Sequence, residues 1–474
     1  MHSMGRNHKK IFENVLITGI ADKGRAIGRT AEGQVIFTEG PVPGDVVDIL
    51  ALRKRKGFLE GVVNTYHTLS DERTVPLCPH FGVCGGCKWQ HLSYQSQLKY
   101  KYQVVKDNMT RIARLPESIV LPVLPCKDVF YYRNKLEYSF SDKRWITEEE
   151  VNSGKEIHQS PALGFHRPGF FEKIVDITTC KLQDSRSDEI RNFVREFTLT
   201  NDYTYYDVKQ HNGLMRNMII RNSTLDEWMV VVIFGQNDEK RISALMEALR
   251  NKFSFINSLH YVVNTKWNDT IFDLDIKLFH GRSYITEQLG DVAYQIGPKS
   301  FFQTNSKQAV ALFDIAVGFA DVGPDDIVYD LYTGLGSIAL YMASKIKKVI
   351  GIEEIEPAIA DARHNMELNN IPNAIFYSGD VKDLLNRDFM LKHGKPDVVI
   401  TDPPRAGMHE KVIQTLLQME SPKIIYVSCN PATQARDLAL LSEKYEVLEV
   451  QPVDMFPHTH HVESVANLRL KKSL

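Results

Sequence analysis

The spacing of apolar positions divides the chain into three stretches with different periods. From about residue 11 to 68 the apolar residues fall in short runs: Val15-Leu16-Ile17, Gln34-Val35-Ile36-Phe37, Val46-Val47-Asp48-Ile49-Leu50 and Phe58-Leu59-Glu60-Gly61-Val62-Val63. Gly, Pro and charged turns separate them, which predicts the strands of a small β-barrel. From 69 to about 290 the pattern is mixed. A cysteine-rich segment leads into a helical stretch from Tyr94 to about Leu115, then into β-rich pieces such as Leu136 to Phe140 and Trp228 to Ile233. From about 291 short apolar strands alternate with helices: Ile327 to Leu331, Ser337 to Lys345, Val349 to Ile352, Ala358 to Asn369, Asp397 to Thr401 and Lys423 to Val427. That alternation predicts a Rossmann-like, doubly wound α/β domain, whose ligands bind beyond the carboxyl ends of the strands. The expected organisation is an α/β protein with a barrel over 1–70, a mixed α+β domain over 71–290 and the doubly wound domain over 291–474.

Composition adds limits and one asymmetry. At 474 residues and 43% hydrophobic the chain can build several cores. No apolar run approaches the roughly 18 residues of a membrane span, and the start Met1-His2-Ser3-Met4-Gly5-Arg6 lacks a signal-peptide core, so a cytoplasmic chain with no membrane partner is expected. The net charge of −2 hides an imbalance: residues 1–135 carry 20 Lys and Arg against 12 Asp and Glu, the remainder 37 against 47. A basic N-terminal end is where a phosphate backbone would be approached at least cost. The run Arg53-Lys54-Arg55-Lys56 is either a solvated turn or a loop contacting such a backbone.

Three groups of residues carry chemistry. Asp330-Leu331-Tyr332-Thr333-Gly334-Leu335-Gly336-Ser337 runs from a strand end through a Gly-containing loop into a helix, which lets the backbone approach a ligand. Glu353 closes the second strand 19 residues after Gly334, about where nucleotide-binding sheets place a carboxylate on ribose hydroxyls; Glu354 is its adjacent competitor. Asp380 ends the third strand and reads equally as a ligand acid and as a helix N-cap. Second, Cys78-x5-Cys84-Gly85-Gly86-Cys87 offers three soft ligands on a tight loop, which suits an iron-sulfur cluster; zinc is the alternative, and a disulfide does not fit a cytosolic chain. Third, Asp402-Pro403-Pro404-Arg405 and Val427-Ser428-Cys429-Asn430-Pro431 each follow a buried strand, so both lie at the rim of the crevice. Cys429 there is either a core thiol or a nucleophile. Downstream, His458, His460 and His461 precede Glu463, as loop residues flanking a carboxylate or as metal ligands.

Taken in order, the Asp402 loop, Cys429 and His460-His461-Val462-Glu463 resemble the S-adenosylmethionine-dependent RNA 5-methyluridine methyltransferases, and the likeness runs through nearly the whole chain. It implies that the Cys429 thiolate adds to C6 of uracil to make C5 nucleophilic, and that Glu463 removes the C5 proton after methylation. It further implies S-adenosyl-L-methionine as cofactor, held by Gln303 in Phe301-Phe302-Gln303-Thr304-Asn305, Tyr332, Glu353, Asp380 and Asp402. Glu353 is preferred over Glu354 because the family's acid directly follows Gly-apolar. Cys180 is implied as the fourth ligand, beside Cys78, Cys84 and Cys87, of a 4Fe-4S cluster. Four protein ligands and the x5 spacing disfavour a radical enzyme, whose triplet is Cys-x3-Cys-x2-Cys. The barrel resembles a TRAM domain, an OB-like RNA-binding module, and the helix after the cysteines is implied to pack on the catalytic domain. Tyr132-Arg133-Asn134-Lys135 resembles a segment facing RNA, with a solvated strand edge as the alternative. Thr333, where relatives often carry Cys, and Pro357, one place late, depart from the family's pattern. Barrel and cluster together are most like the ribosomal RNA enzymes, so a monomer acting on 23S rRNA is expected, with tRNA as the closest alternative target and a non-catalytic RNA-binding or assembly factor as the alternative class.

Overall fold

The structure, a computed structural model, describes residues 10–472. Five strands, β1 (Ile11–Ile20), β2 (Ala26–Arg29), β3 (Val35–Thr38), β4 (Val46–Arg55) and β5 (Phe58–Thr68), close into a barrel in the order β1-β2-β3-β5-β4. Val15, Ile17, Ala26, Ile36, Val47, Ile49 and Leu59 fill its interior. Closure removes the free strand edges that a small open sheet would expose. Arg53 to Lys56 are exposed where β4 turns into β5, so the basic run faces solvent at a hairpin tip.

Helix α1 (Tyr94–Arg111) starts at Ser93, whose Oγ accepts the Ser96 N–H. Its Val105 and Met109 are buried with Leu438, Leu441 and Tyr329 of the C-terminal part, so this helix packs where the resemblance implied. The central sheet has seven strands: β6 (Lys135–Ser141), β7 (Ala162–Arg167), β8 (Phe170–Asp176), β9 (Met215–Asn222), β10 (Trp228–Phe234), β11 (Ile256–Val263) and β12 (Lys277–Gly281). Their order is β12-β11-β10-β9-β6-β7-β8. The short α2 (Glu148–Asn152) lies between β6 and β7, while α3 (Arg186–Thr200) and α4 (Glu239–Lys252) cover the sheet with Ile190, Val194, Leu245 and Leu249.

A hairpin, β13 (Ile285–Leu289) and β14 (Val292–Ile296), leads into α5 (Ser306–Ala320). The C-terminal sheet follows as β15 (Ile327–Leu331), α6 (Ser337–Met342), β16 (Lys348–Glu353), α7 (Glu356–Leu368), β17 (Ala374–Ser378), α8 (Val381–Leu384), α9 (Arg387–His393), β18 (Val398–Thr401), α10 (Glu410–Met419), β19 (Lys423–Ser428), α11 (Pro431–Leu441), β20 (Tyr445–Val453) and β21 (Glu463–Leu470). Strand order is β17-β16-β15-β18-β19-β21-β20; β15 to β19 run parallel, and β21 runs antiparallel to both β19 and β20. All of β18 is buried, the pattern of a strand with helices on both faces. Among the described residues no helix is long and apolar enough to cross a membrane.

One buried carboxylate joins the central sheet to the C-terminal part. Glu287 on β13 is fully buried and accepts hydrogen bonds from the Thr224 N–H at 3.0 Å and from the hydroxyls of Thr224 and Ser306. Replacing it with Leu leaves those donors unpaired in the interior, at a cost of roughly 2–4 kcal/mol. Glu287→Leu is therefore expected to lower the urea midpoint without changing the slope of the transition.

Candidate active site

Strand register brings the candidate nucleophile and base together. On the antiparallel pair of β19 and β21, Ser428 lies opposite Ser464. Continuing that register by one residue sets Cys429, just past β19, across from Glu463, the first residue of β21. Cys429 is half-buried and directly precedes α11, whose first turn is capped by Asn430: its side-chain oxygen accepts the Ala432 N–H at 3.2 Å, and Pro431 occupies the first turn. A thiolate at that place gains from the positive end of the helix.

The Asp402 loop closes the other side. The Asp402 N–H donates to the Leu331 carbonyl at the end of β15, 3.3 Å away. The Arg405 carbonyl accepts from Asn430 Nδ2 at 2.9 Å and Thr433 Oγ1 at 3.2 Å, so the loop is pinned to the turn that carries Cys429. Burial pushes the Cys429 thiol up to about 11, and the charges of Glu463 and Asp402 add to this while the Arg405 guanidinium opposes it. Glu463, only 7% exposed, is raised to about 8 by burial and then by Asp402. Asp402 is raised to about 7 by burial and then by Asp330. Three carboxyl groups thus crowd one poorly solvated region with Arg405 as a nearby cation, the arrangement that keeps an acid near neutrality poised to exchange a proton. His460 and His461 stack with ring centroids 4.1 Å apart, and burial holds them down to about 4 and about 3, so both are neutral bases at pH 7.

Of the expected cofactor residues, three gather at the strand ends. Glu353 closes β16, accepts the Gly334 N–H at 3.2 Å and the Ile355 N–H at 3.0 Å, and so braces the loop after β15. Gly334 has a φ of +58°, with no atom within 4 Å of where a Cβ would stand, which leaves room on that side of the loop for a ligand. Tyr332, at φ +62°, is raised to about 12 by burial and then by the charges of Asp380, Asp437 and Glu353. Asp380 caps α8 through the Lys382 N–H and also pairs with the Lys382 ammonium. Gln303 lies before α5, where its carbonyl accepts from Asn134 Nδ2 at 2.9 Å; no hydrogen bond ties its side chain to the acids. Thr333, the departure from the family's Cys, donates its hydroxyl to Asp330 Oδ2 at 2.5 Å and so fixes a buried carboxyl beneath the loop.

The four expected thiol ligands share one cavity. Cys78, Cys84, Cys87 and Cys180 line a space of about 390 Å³ together with Arg133, Lys135, Ile177 and Thr304. The Gly86 N–H donates to Cys84 Sγ at 3.4 Å and Gln90 Nε2 to Cys87 Sγ at 3.2 Å. Burial raises Cys84 to about 11 and Cys87 and Cys180 to about 12. Among the described residues no three His, Cys, Asp or Glu side chains stand close enough to hold a single metal ion, the C-terminal histidines included. The segment Tyr132 to Lys135 is part of the scaffold: Tyr132 is buried and donates to the Pro457 carbonyl at 2.9 Å, and Asn134 Nδ2 also reaches Ser306 Oγ at 2.8 Å. Local sequence gave no sign of one further contributor, the ion pair of Lys101 with Asp454, because its partners are set by tertiary contact.

The raised carboxyl of Glu463 has a consequence for stability. The folded chain holds its proton up to about 8 while the unfolded chain releases it near the ordinary 4.5, so this group's contribution to stability is most favourable at low pH and falls as pH rises between those values. Glu463→Gln removes this loss. The melting temperature of the variant should gain on that of the wild type from about pH 5 to about pH 8 and then hold a constant lead; a constant difference across the range would refute the assignment.

Residues 208–471 match the family model described as tRNA (Uracil-5-)-methyltransferase, and residues 13–63 match the TRAM domain. Proteins named as uncharacterized RNA methyltransferases are 47% identical in Bacteroides thetaiotaomicron, over 95% of this chain and 100% of the relative, and 47% identical in Porphyromonas gingivalis, over 95% and 98%. The crystal structure of Pyrococcus abyssi tRNA (uracil-54, C5)-methyltransferase in complex with S-adenosyl-L-homocysteine superposes with a TM-score of 0.72 at 30% identity, over 96% of this chain and 99% of that one. With a TRAM domain at one end and a doubly wound catalytic sheet at the other, the chain belongs to the family of S-adenosylmethionine-dependent RNA uracil-5-methyltransferases.

Proposed function

We propose that this enzyme methylates C5 of a uridine in 23S rRNA, with Cys429 as nucleophile and Glu463 as base. The observation that carries the mechanism is the register that sets Cys429 across from Glu463 at the carboxyl edge of the parallel strands. When bound, S-adenosylmethionine supplies an electrophilic methyl group and a positive charge. The target base leaves its stack to reach the pocket. The Cys429 thiolate, favoured by Arg405 and by the start of α11, forms a bond to C6 and pushes the ring electrons towards C5, which takes the methyl group. The Glu463 carboxylate then takes the C5 proton, the C5=C6 double bond reforms, and the C6–S bond breaks to return the thiolate. A carboxyl titrating near 8 suits this step, since as a carboxylate it is a much stronger base than an exposed Glu. Gln303, Tyr332, Glu353, Asp380 and Asp402 form the cofactor's surroundings in this reading, Glu353 on the ribose hydroxyls.

We read the four thiols as ligands of a 4Fe-4S cluster. Their common cavity and the N–H groups aimed at two of the sulfurs support a polynuclear group, and such N–H···S bonds are how proteins tune one. The cluster has no part in the steps above. A tRNA target is the second reading, favoured by the likeness to the Pyrococcus abyssi tRNA enzyme. Labelled-methyl transfer to purified 23S rRNA and to tRNA separates the two, and mapping the product gives the nucleotide.

Two outcomes test the chemistry. Cys429→Ala should bind cofactor but transfer no methyl group, whereas Glu463→Gln should slow turnover by roughly 10²- to 10⁴-fold and accumulate a methyl-labelled protein-RNA adduct on denaturing gels. That adduct should vanish in the double variant; normal turnover in Glu463→Gln would move the base elsewhere. For the thiols, anaerobically prepared protein should contain iron and sulfide that are lost together in Cys180→Ser. Zinc without iron would overturn the cluster reading.

A further inference from the structure

The loop 454–462 joins β20 to β21 and delivers both the paired histidines and Glu463. Glu463 is paired with Val453 in the last rung of that hairpin, the rung most prone to fray. The loop is held from α1 by two buried polar residues one turn apart. Lys101 is 0% exposed; its Nζ donates to Asp454 Oδ1 at 2.5 Å and to the Phe456 carbonyl at 3.0 Å. Gln97 is also 0% exposed; its Oε1 accepts the His458 N–H at 2.8 Å, and its Nε2 lies 3.2 Å from His458 Nδ1. The same Nε2 donates to the Trp89 and Leu92 carbonyls, and the Lys88 and Trp89 N–H groups donate to the His458 carbonyl at 2.9 and 3.0 Å. His458 is held at φ +65°, a conformation that a residue with a side chain keeps only where its surroundings impose it.

We propose that Gln97 and Lys101 are positioning residues for the elimination step: they fix the loop so that Glu463 faces the C5 proton. This rests on the mechanism proposed above and adds to it residues far from the reacting atoms in sequence. Lys101 anchors the residue next to Val453, the rung partner of Glu463; Gln97 anchors the middle of the loop, two residues before His460. Addition of the thiolate and transfer of the methyl group depend on Cys429, which lies between the end of β19 and the start of α11 and outside this loop. Loosening the loop therefore slows proton removal and leaves the earlier steps intact.

RNA substituted with 5-fluorouridine separates the two stages. A C5–F bond offers no proton, so the methylated adduct persists and its formation reports only addition and methyl transfer. The variants are Lys101→Met with Asp454→Leu, which removes both charges together so that neither is left buried and unpaired, and Gln97→Met as an independent release of the same loop. Each should trap 5-fluorouridine RNA at the wild-type rate, while turnover on uridine RNA falls by about 10²-fold, the scale of a misplacement near 1 Å, and a labelled adduct accumulates. Trapping and turnover falling in parallel would mean a general structural defect, and unchanged turnover would mean no role; either overturns the proposal. Should the double variant fail to fold, as judged by its melting transition, Gln97→Met decides by the same two rates. A wild-type enzyme that forms no fluorouridine adduct overturns the Cys429 mechanism itself, which is a separate failure from a variant that differs from an active wild type.

Discussion

The reversed strand β21 is the constraint on which the site depends. In a purely parallel sheet every strand would begin at the edge opposite the crevice, and its first residue would be a sheet's length from the chemistry. Because β21 runs antiparallel to β19, its start and the end of β19 meet at the same edge, and Ser464 pairs with Ser428 there. Two residues separated by a helix, a strand and a long loop are thereby brought to one edge by backbone pairing. The Asp402 loop completes the arrangement through the neighbouring β18, and the bonds from Asn430 and Thr433 to its Arg405 carbonyl tie the two rims together.

That edge is electrostatically expensive. Asp330, Asp402 and Glu463 are each raised to about 7 or 8, first by burial and then, for Asp402, by Asp330 and, for Glu463, by Asp402. Such groups lower stability at neutral pH, and the surrounding packing offsets it: β18 is buried through its whole length and α1 covers one face with Val105 and Met109. In the proposed reaction the same tension is useful, because a carboxylate denied solvation takes a proton more readily than an exposed one. The neutral histidines alongside add no counter-charge that would weaken it.

Much of this was legible in the sequence because its signals are local. The alternation of apolar strands and helices marked the doubly wound sheet, and the residues that end its strands, Glu353, Asp380, Asp402 and Cys429, stand at strand ends in the structure. The helix expected over Ser337 to Lys345 is α-helical only to Met342, the remainder being a tighter turn. What escaped notice lacked a local pattern. Strand β2 is four residues long with an internal glycine, and Gly28 is needed because a Cβ there would stand 2.5 Å from Val15 Cγ1. Of the two readings of Asp380, the structure shows the N-cap: one oxygen accepts the Lys382 N–H at the start of α8 and the other meets the Lys382 ammonium. The pair of Lys101 with Asp454 spans 353 residues of sequence, and nothing in the pattern of α1 distinguishes a buried lysine from the solvated ones beside it.

The cysteine segment and the catalytic loop share more than a neighbourhood. Lys88 and Trp89, immediately after Cys87, bond the His458 carbonyl through their N–H groups, and Gln97 bonds both segments at once. Gly24 of the barrel presses on the same place: a Cβ there would lie 2.7 Å from the His460 Cβ and 3.2 Å from the Trp89 indole nitrogen. Barrel, thiol loop and α1 therefore all bear on a loop that the catalytic sheet alone would leave loosely tied.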